Sequence, residues 1–163
     1  MFAFKLAEKL NKAGFHYGWL MAALAFLTTV FSSASFSLPH ILIIPITKEF
    51  GWSISDVTSS IAAMFLTLAI MAPFSGALML RFGVSKIVVI SGICIIFGLI
   101  ATTQVYEKWQ LLLTIGILLG TAAGLIGLGL TATIATRWFH SKRGLIVGLS
   151  AAGFAAGQLI FTP

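Results

Sequence analysis

His40 is the residue in this chain whose chemistry stands out most. It follows Pro39 in a stretch that carries Thr28, Thr29, Ser32, Ser33, Ser35 and Ser37, with no Asp, Glu, Lys or Arg between Gly18 and Pro39. Imidazole changes charge between about pH 5 and 8, and its protonated form pairs with a carboxylate. A lone histidine in such a setting reads as a contact for an organic anion whose binding is linked to a proton. A histidine at the edge of an apolar stretch, facing headgroups or water, is the competing reading. Thr29, Ser33, Ser37 and, far along the chain, Gln158 offer uncharged hydrogen-bond donors to the same ligand. Hydrogen bonding between helices is their competing use.

Little else in the sequence carries chemistry. Catalysis within a membrane needs titratable or metal-binding groups at depth. The apolar blocks hold no Asp or Glu, and the other two histidines, His16 and His140, stand beside charged joints. There is no His-x-x-x-His pair, no Gly-x-Ser-x-Gly and no pair of carboxylates. The one cysteine, Cys94, cannot form a disulfide within the chain or a metal cluster, and reads as a small apolar filler. The sequence therefore calls for no enzyme, no metal and no cofactor.

The elements that must position these residues follow from charge spacing. Hydrophobic residues make up 59% of the chain and charged ones 9%, with a mean hydropathy of +1.07. A soluble domain carries about 25% charged residues, so this surface suits lipid rather than water. Charge-free blocks run from Gly18 to Pro39, Val57 to Leu80, Ile87 to Tyr106, Trp109 to Thr136 and Gly144 to Pro163. Each reaches the roughly 20 residues that cross a bilayer core as a helix. Helices are also the form that satisfies backbone groups there. The spacing predicts transmembrane helices over 17–46, 54–80, 86–106, 109–137 and 144–163.

Charge also orients the chain. Lys5, Lys9, Lys12, Arg81, Lys86, Arg137, Lys142 and Arg143 fall on one side, and only Lys48 and Lys108 on the other, with Glu49, Asp56 and Glu107. The positive-inside rule places the first set, and the N-terminus, in the cytoplasm. The net charge of +6 sits in short joints rather than in a basic, aromatic-interleaved patch, so nucleic acid is set aside. Residues 1–16 read as an amphipathic cytoplasmic segment, with Phe4, Leu6 and Leu10 toward lipid and Lys5, Glu8, Lys9 and Lys12 toward water. A signal peptide is the rival reading of this start, but the apolar run continues past Ser35 to Ile44.

Local signals refine the spans. Pro39 and Pro45 each remove a helical hydrogen bond and bend the first helix. Ser53 and Asp56 resemble a capping box that starts the second. Gly116, Gly120 and Gly124 in the fourth span, and Gly148 and Ala152 in the fifth, are spaced for close helix packing in lipid. Gly153 and Gly157 lie on another face of the fifth.

The sharpest motif is the joint from Gly76 through Leu78, Arg81 and Gly83 to Lys86, which turns in about five residues. Gly83 supplies the positive φ such a turn requires. This joint resembles the cytoplasmic signature between helices two and three of the major facilitator superfamily. Gly76, Leu78, Arg81 and Gly83 match that signature, and Lys86 keeps a basic residue nearby. Leu80 stands where the family usually has Asp, and Val84 where it often has Arg, which leaves the family's charge-relay latch in doubt. Tyr17-Gly18-Trp19, Glu49-Phe50-Gly51-Trp52-Ser53 and Arg137-Trp138-Phe139 followed by Lys142-Arg143-Gly144-Leu145 resemble the monocarboxylate and oxalate–formate branch. Gly116 stands where many drug and sugar members carry Arg.

The resemblance implies an all-α integral membrane protein: five transmembrane helices of an incomplete six-helix N-terminal bundle, in a plasma or bacterial inner membrane. It implies a secondary transporter that moves a small organic anion by proton symport or exchange. The lipid bilayer and that anion are the partners it calls for, and a C-terminal half is expected beyond this chain. His40 lies near the place where such carriers have a lysine after proline. A membrane module that binds a partner through its glycine faces, and an oligomeric channel, are the alternatives.

Overall fold

The computed structural model describes residues 17–139 and 143–162, the side chains of Tyr17, Leu128 and Trp138 aside. The amphipathic segment 1–16, His16, His140 and Lys142 lie outside the described residues. Five helices long and apolar enough to cross a membrane make up the fold. They are α1 (Tyr17–Phe50), α2 (Ile54–Phe82), α3 (Val84–Thr102), α4 (108–138) and α5 (Arg143–Phe161). α4 has three parts: an α-helical turn Lys108–Leu111, a π-helical stretch Leu112–Leu119, and an α-helix Gly120–Trp138. The protein is an integral, multi-pass membrane protein.

α1 differs from its expected course. It continues as helix through Pro39 and Pro45 to Phe50, beyond the predicted end at 46. At about 1.5 Å per residue it is roughly 50 Å long, more than the core thickness of about 30 Å, so its Phe50 end stands clear of the hydrocarbon. α3 stops earlier than predicted, at Thr102, where the N–H groups of Thr103 and Gln104 turn back to the carbonyls of Ile100 and Ala101.

The joint between α2 and α3 is shorter than the predicted five residues. It is one residue, Gly83, at φ 93° and ψ 142°. Its N–H donates to Met79 O at 3.0 Å and closes α2, while its carbonyl accepts from Ile87 N at 3.3 Å and opens α3. This backbone region borders one that is essentially reserved to glycine. Arg81 and Lys86 flank the turn, exposed, with the Arg81 guanidinium 5.4 Å from the Phe82 ring centre. At the other end of α2, Ser53 and Asp56 form the capping box. Ser53 Oγ accepts from Asp56 N at 3.2 Å, and Asp56 Oδ2 accepts from Ser53 N at 3.1 Å. Asp56 also pairs with Lys108 Nζ at 2.7 Å, tying α2 to the start of α4.

α4 is the central post and packs against all four other helices. Its glycines explain how close α2 comes. A methyl on Gly120 would sit 2.7 Å from Met64 O and 2.9 Å from Thr67 Cβ, and one on Gly124 would sit 2.8 Å from Met71 Cβ. Gly116 abuts Ala63, and Gly129 abuts Ser75. Glycines four apart overshoot one α-turn of 3.6 residues and drift off a straight neighbour. The wider π-turns across Leu112–Leu119 offset that drift, so Gly116, Gly120 and Gly124 follow α2 in sequence.

α5 packs on α1 in the same way but through a face other than the one expected. Gly153 lies against Phe26 and Thr29, and Gly157 against Val30 and Ser33. Gly148 and Ala152, the expected packing pair, are exposed, and a methyl on Gly148 would meet nothing within 4 Å. α1 presents the Phe26 and Val30 carbonyls there, closer than a Cβ could stand, and Gly153 and Gly157 leave room for them.

Candidate functional site

α1, α2, α4 and α5 do not close completely on one another. Between them lies a cavity of about 340 Å³, lined from α1 by Thr29, Ser32 and Phe36 and from α2 by Leu68 and Ala72. α4 adds Gly124, Gly127 and Thr131, and α5 adds Ser150, Ala151 and Phe154. These residues fall near the middle of each helix, so the cavity lies at mid-depth. The volume is at the small end of ligand sites.

The cavity wall is apolar except for four hydroxyls. Thr29 Oγ1 donates to Phe26 O at 2.8 Å. Ser32, Thr131 and Ser150 are buried and line the cavity, and take no hydrogen-bond partner among the described residues. Among the described residues no Asp, Glu, Lys, Arg or His lines it. At the end nearer Asp56 the cavity is bounded by aromatic rings. Phe36 meets Phe154 edge-on with centroids 5.1 Å apart, and meets Phe65 at 6.0 Å.

α4 leaves regular helix where it borders the cavity. Gly127 has φ −48° and ψ −111°, a kink within Gly120–Trp138. Non-helical backbone at membrane depth persists where protein or a cavity surrounds it. Gly127 meets that condition, because it forms part of the cavity wall.

The residues singled out by sequence are spread around this cavity rather than gathered in it. Thr29 lines it. Ser33 is buried on the neighbouring face of α1, donates to Val30 O at 2.7 Å and rests against Gly157. Ser37 is buried with its hydroxyl unpaired, off the cavity wall. Gln158 is partly buried near the end of α5, four residues past Phe154. His40 is exposed, one helical turn beyond Phe36, and its Nδ1 lies 2.7 Å from Phe36 O. A carbonyl only accepts, so this contact is a hydrogen bond in the tautomer that carries its proton on Nδ1. Gly76, Leu78, Arg81, Gly83 and Lys86 lie together at the far end of α2, away from the cavity.

Ser32, Thr131, Ser150, Phe36 and Phe154 were not picked out by a search for ionisable groups. The available signal was weaker: Ser150 is the one hydroxyl between Arg143 and Phe161, in a helix otherwise made of apolar and small residues and Gln158. Among the described residues no His, Cys, Asp and Glu side chains group to hold a metal.

The Major Facilitator Superfamily family model matches residues 6–163. The chain is 33% identical over 108 residues to the uncharacterized MFS-type transporter YhjX of Escherichia coli (strain K12), across 66% of this chain and 27% of that protein. It is 30% identical over 111 residues to the MFS-type transporter opdF of Penicillium oxalicum, across 68% and 26%. It is 28% identical over 148 residues to monocarboxylate transporter 11 of Mus musculus, across 90% and 33%. The chain thus spans between about a quarter and a third of the length of these relatives.

Proposed function

This chain belongs to the Major Facilitator Superfamily, and on that premise we propose that it is the N-terminal part of a secondary transporter for a small organic anion, a mono- or dicarboxylate, coupled to proton symport or exchange. The observation that carries this reading is the convergence of four helices on one mid-depth cavity whose polar groups are hydroxyls. His40 stands one turn beyond it on α1. A transport site near the midplane, completed by a second helical bundle, is the general architecture of such carriers. The similarity to a monocarboxylate transporter supports the anion class. The excess of basic residues at the Arg81 end supports a cytoplasmic N-terminus in a plasma or bacterial inner membrane.

His40 supplies the cation in this scheme. With its Nδ1 on Phe36 O, its Nε2 is the atom that meets a carboxylate. The glycine faces favour transport over the partner-binding alternative, because those of α4 and one of α5 are occupied within the bundle by α2 and α1. The test is uptake of radiolabelled monocarboxylates into proteoliposomes that contain the complete transporter. Uptake that rises with an inward proton gradient, or with preloaded carboxylate, is the expected result. Uptake equal to that of protein-free liposomes under both conditions would end this proposal.

A further inference from the structure

We infer that the cavity is a subsite for the uncharged end of the substrate: a hydrocarbon tail with a neutral oxygen, hydroxyl or carbonyl, placed away from the carboxylate. This rests on the reading of His40 as the carboxylate contact. Ser32, Thr131 and Ser150 are only 4, 7 and 5% exposed, and their hydroxyls take no hydrogen-bond partner among the described residues. Buried hydroxyls are normally paired, and those left open toward a cavity are matched by a ligand or water. Each can both donate and accept, which suits a neutral oxygen. A carboxylate would fare badly among them. Among the described residues no cation lines the cavity, and an ionised group buried without a counter-charge is strongly disfavoured.

The remaining wall fixes what accompanies that oxygen. Phe36, Leu68, Ala72, Ala151 and Phe154 surround it with hydrocarbon. His40 lies eight residues along α1 from Ser32, a rise of about 12 Å. On the way from His40 to the hydroxyls a ligand passes the Phe36 and Phe154 rings, so it carries its oxygen at its far end, not on the carbon beside the carboxylate. The apolar walls then contact the chain in between.

Three variants of the complete transporter in nanodiscs test this with straight-chain carboxylates of about two to ten carbons, as unsubstituted, 2-hydroxy and ω-hydroxy acids. Affinity is measured by displacement of a radiolabelled acid, with protein-free nanodiscs subtracted. In the unaltered protein the ω-hydroxy acid binds more tightly than the unsubstituted and 2-hydroxy acids of equal length once the chain reaches the cavity. Thr131→Val and Ser150→Ala remove that preference. Ala151 is exposed and lines the cavity, so Ala151→Leu fills space without displacing packed neighbours. It weakens the longer acids roughly 10-fold, the scale of a methylene-sized misfit in an apolar pocket, and leaves the two-carbon acid unchanged. An equal effect of Ala151→Leu on all lengths, no effect on any, or an ω-hydroxyl preference that survives Thr131→Val and Ser150→Ala overturns the inference. Acids that bind without regard to their tails remove this subsite and leave the organic-anion proposal standing. A protein that binds no carboxylate removes both.

Discussion

Gly120→Ala should push α4 off α2. The added Cβ would lie 2.7 Å from Met64 O, 2.9 Å from Thr67 Cβ and 3.1 Å from Met64 Cα. Relaxed contacts between heavy atoms lie near 3.5 Å or beyond, so the helices must part by about 0.5–1 Å. Two of the three obstacles are backbone atoms, which cannot rotate away. Overpacking of this kind costs about 1–3 kcal/mol. A small offset comes from the better helix propensity of alanine, about 0.5–1 kcal/mol. A net loss of about 1–2 kcal/mol follows, and Gly124→Ala, facing Leu68 O at 3.0 Å, should behave similarly. Gly148→Ala is the internal control. Its Cβ meets nothing within 4 Å, so the propensity gain stands alone and the sign reverses. The assay is reversible unfolding of the chain in mixed micelles by SDS titration, followed by helical circular dichroism. If Gly120→Ala proves as harmless as Gly148→Ala, the close α2–α4 contact and the role of its glycines are wrong.

Four further outcomes follow from other parts of the structure. Gly83→Val should impair uptake by the complete transporter while membrane abundance stays unchanged, because φ 93° strains any side chain although the space is open. Gly83→Asn should do no better than Gly83→Ala, since ψ 142° lies outside the left-handed region that asparagine tolerates. With Cys94 replaced, a cysteine at Ser53 should react with a membrane-impermeant thiol reagent on intact cells and one at Ser85 should not; the reverse pattern inverts the topology. His40→Ala should weaken carboxylate binding, while His40→Lys should retain it, because lysine restores a cation at that position. Coincident curves for the unaltered protein and His40→Ala make His40 a surface histidine.

The five helices were legible because charge in a membrane chain is confined to the joints, and the joints here recur at intervals of a span. The capping box at Ser53 and Asp56 and the positive φ of Gly83 were legible because each rests on local chemistry. Helix ends were less so. Pro39 and Pro45 fall inside α1, whose course past them depends on the neighbours around Pro39 and Ile46, both buried. Which small face of α5 meets α1 also escaped the sequence, because Gly148/Ala152 and Gly153/Gly157 have the same spacing and only the partner distinguishes them. The π-helical stretch Leu112–Leu119 and the kink at Gly127 carry no proline to mark them. The cavity assembles Thr29, Ser32, Thr131 and Ser150 across more than a hundred residues of sequence, so its hydroxyls come together only through tertiary packing.

The most direct test of the account is whether the tail of a bound carboxylic acid occupies that cavity. Ser150→Cys in the complete transporter, with Cys94 replaced, puts a thiol on the cavity wall, and Ser53→Cys puts one at the exposed cap of α2. The rate of alkylation is measured at each position with and without a saturating long-chain ω-hydroxy monocarboxylate. The account predicts that the carboxylate slows reaction at Ser150→Cys and leaves Ser53→Cys unchanged. Equal rates at Ser150→Cys with and without the carboxylate would contradict it.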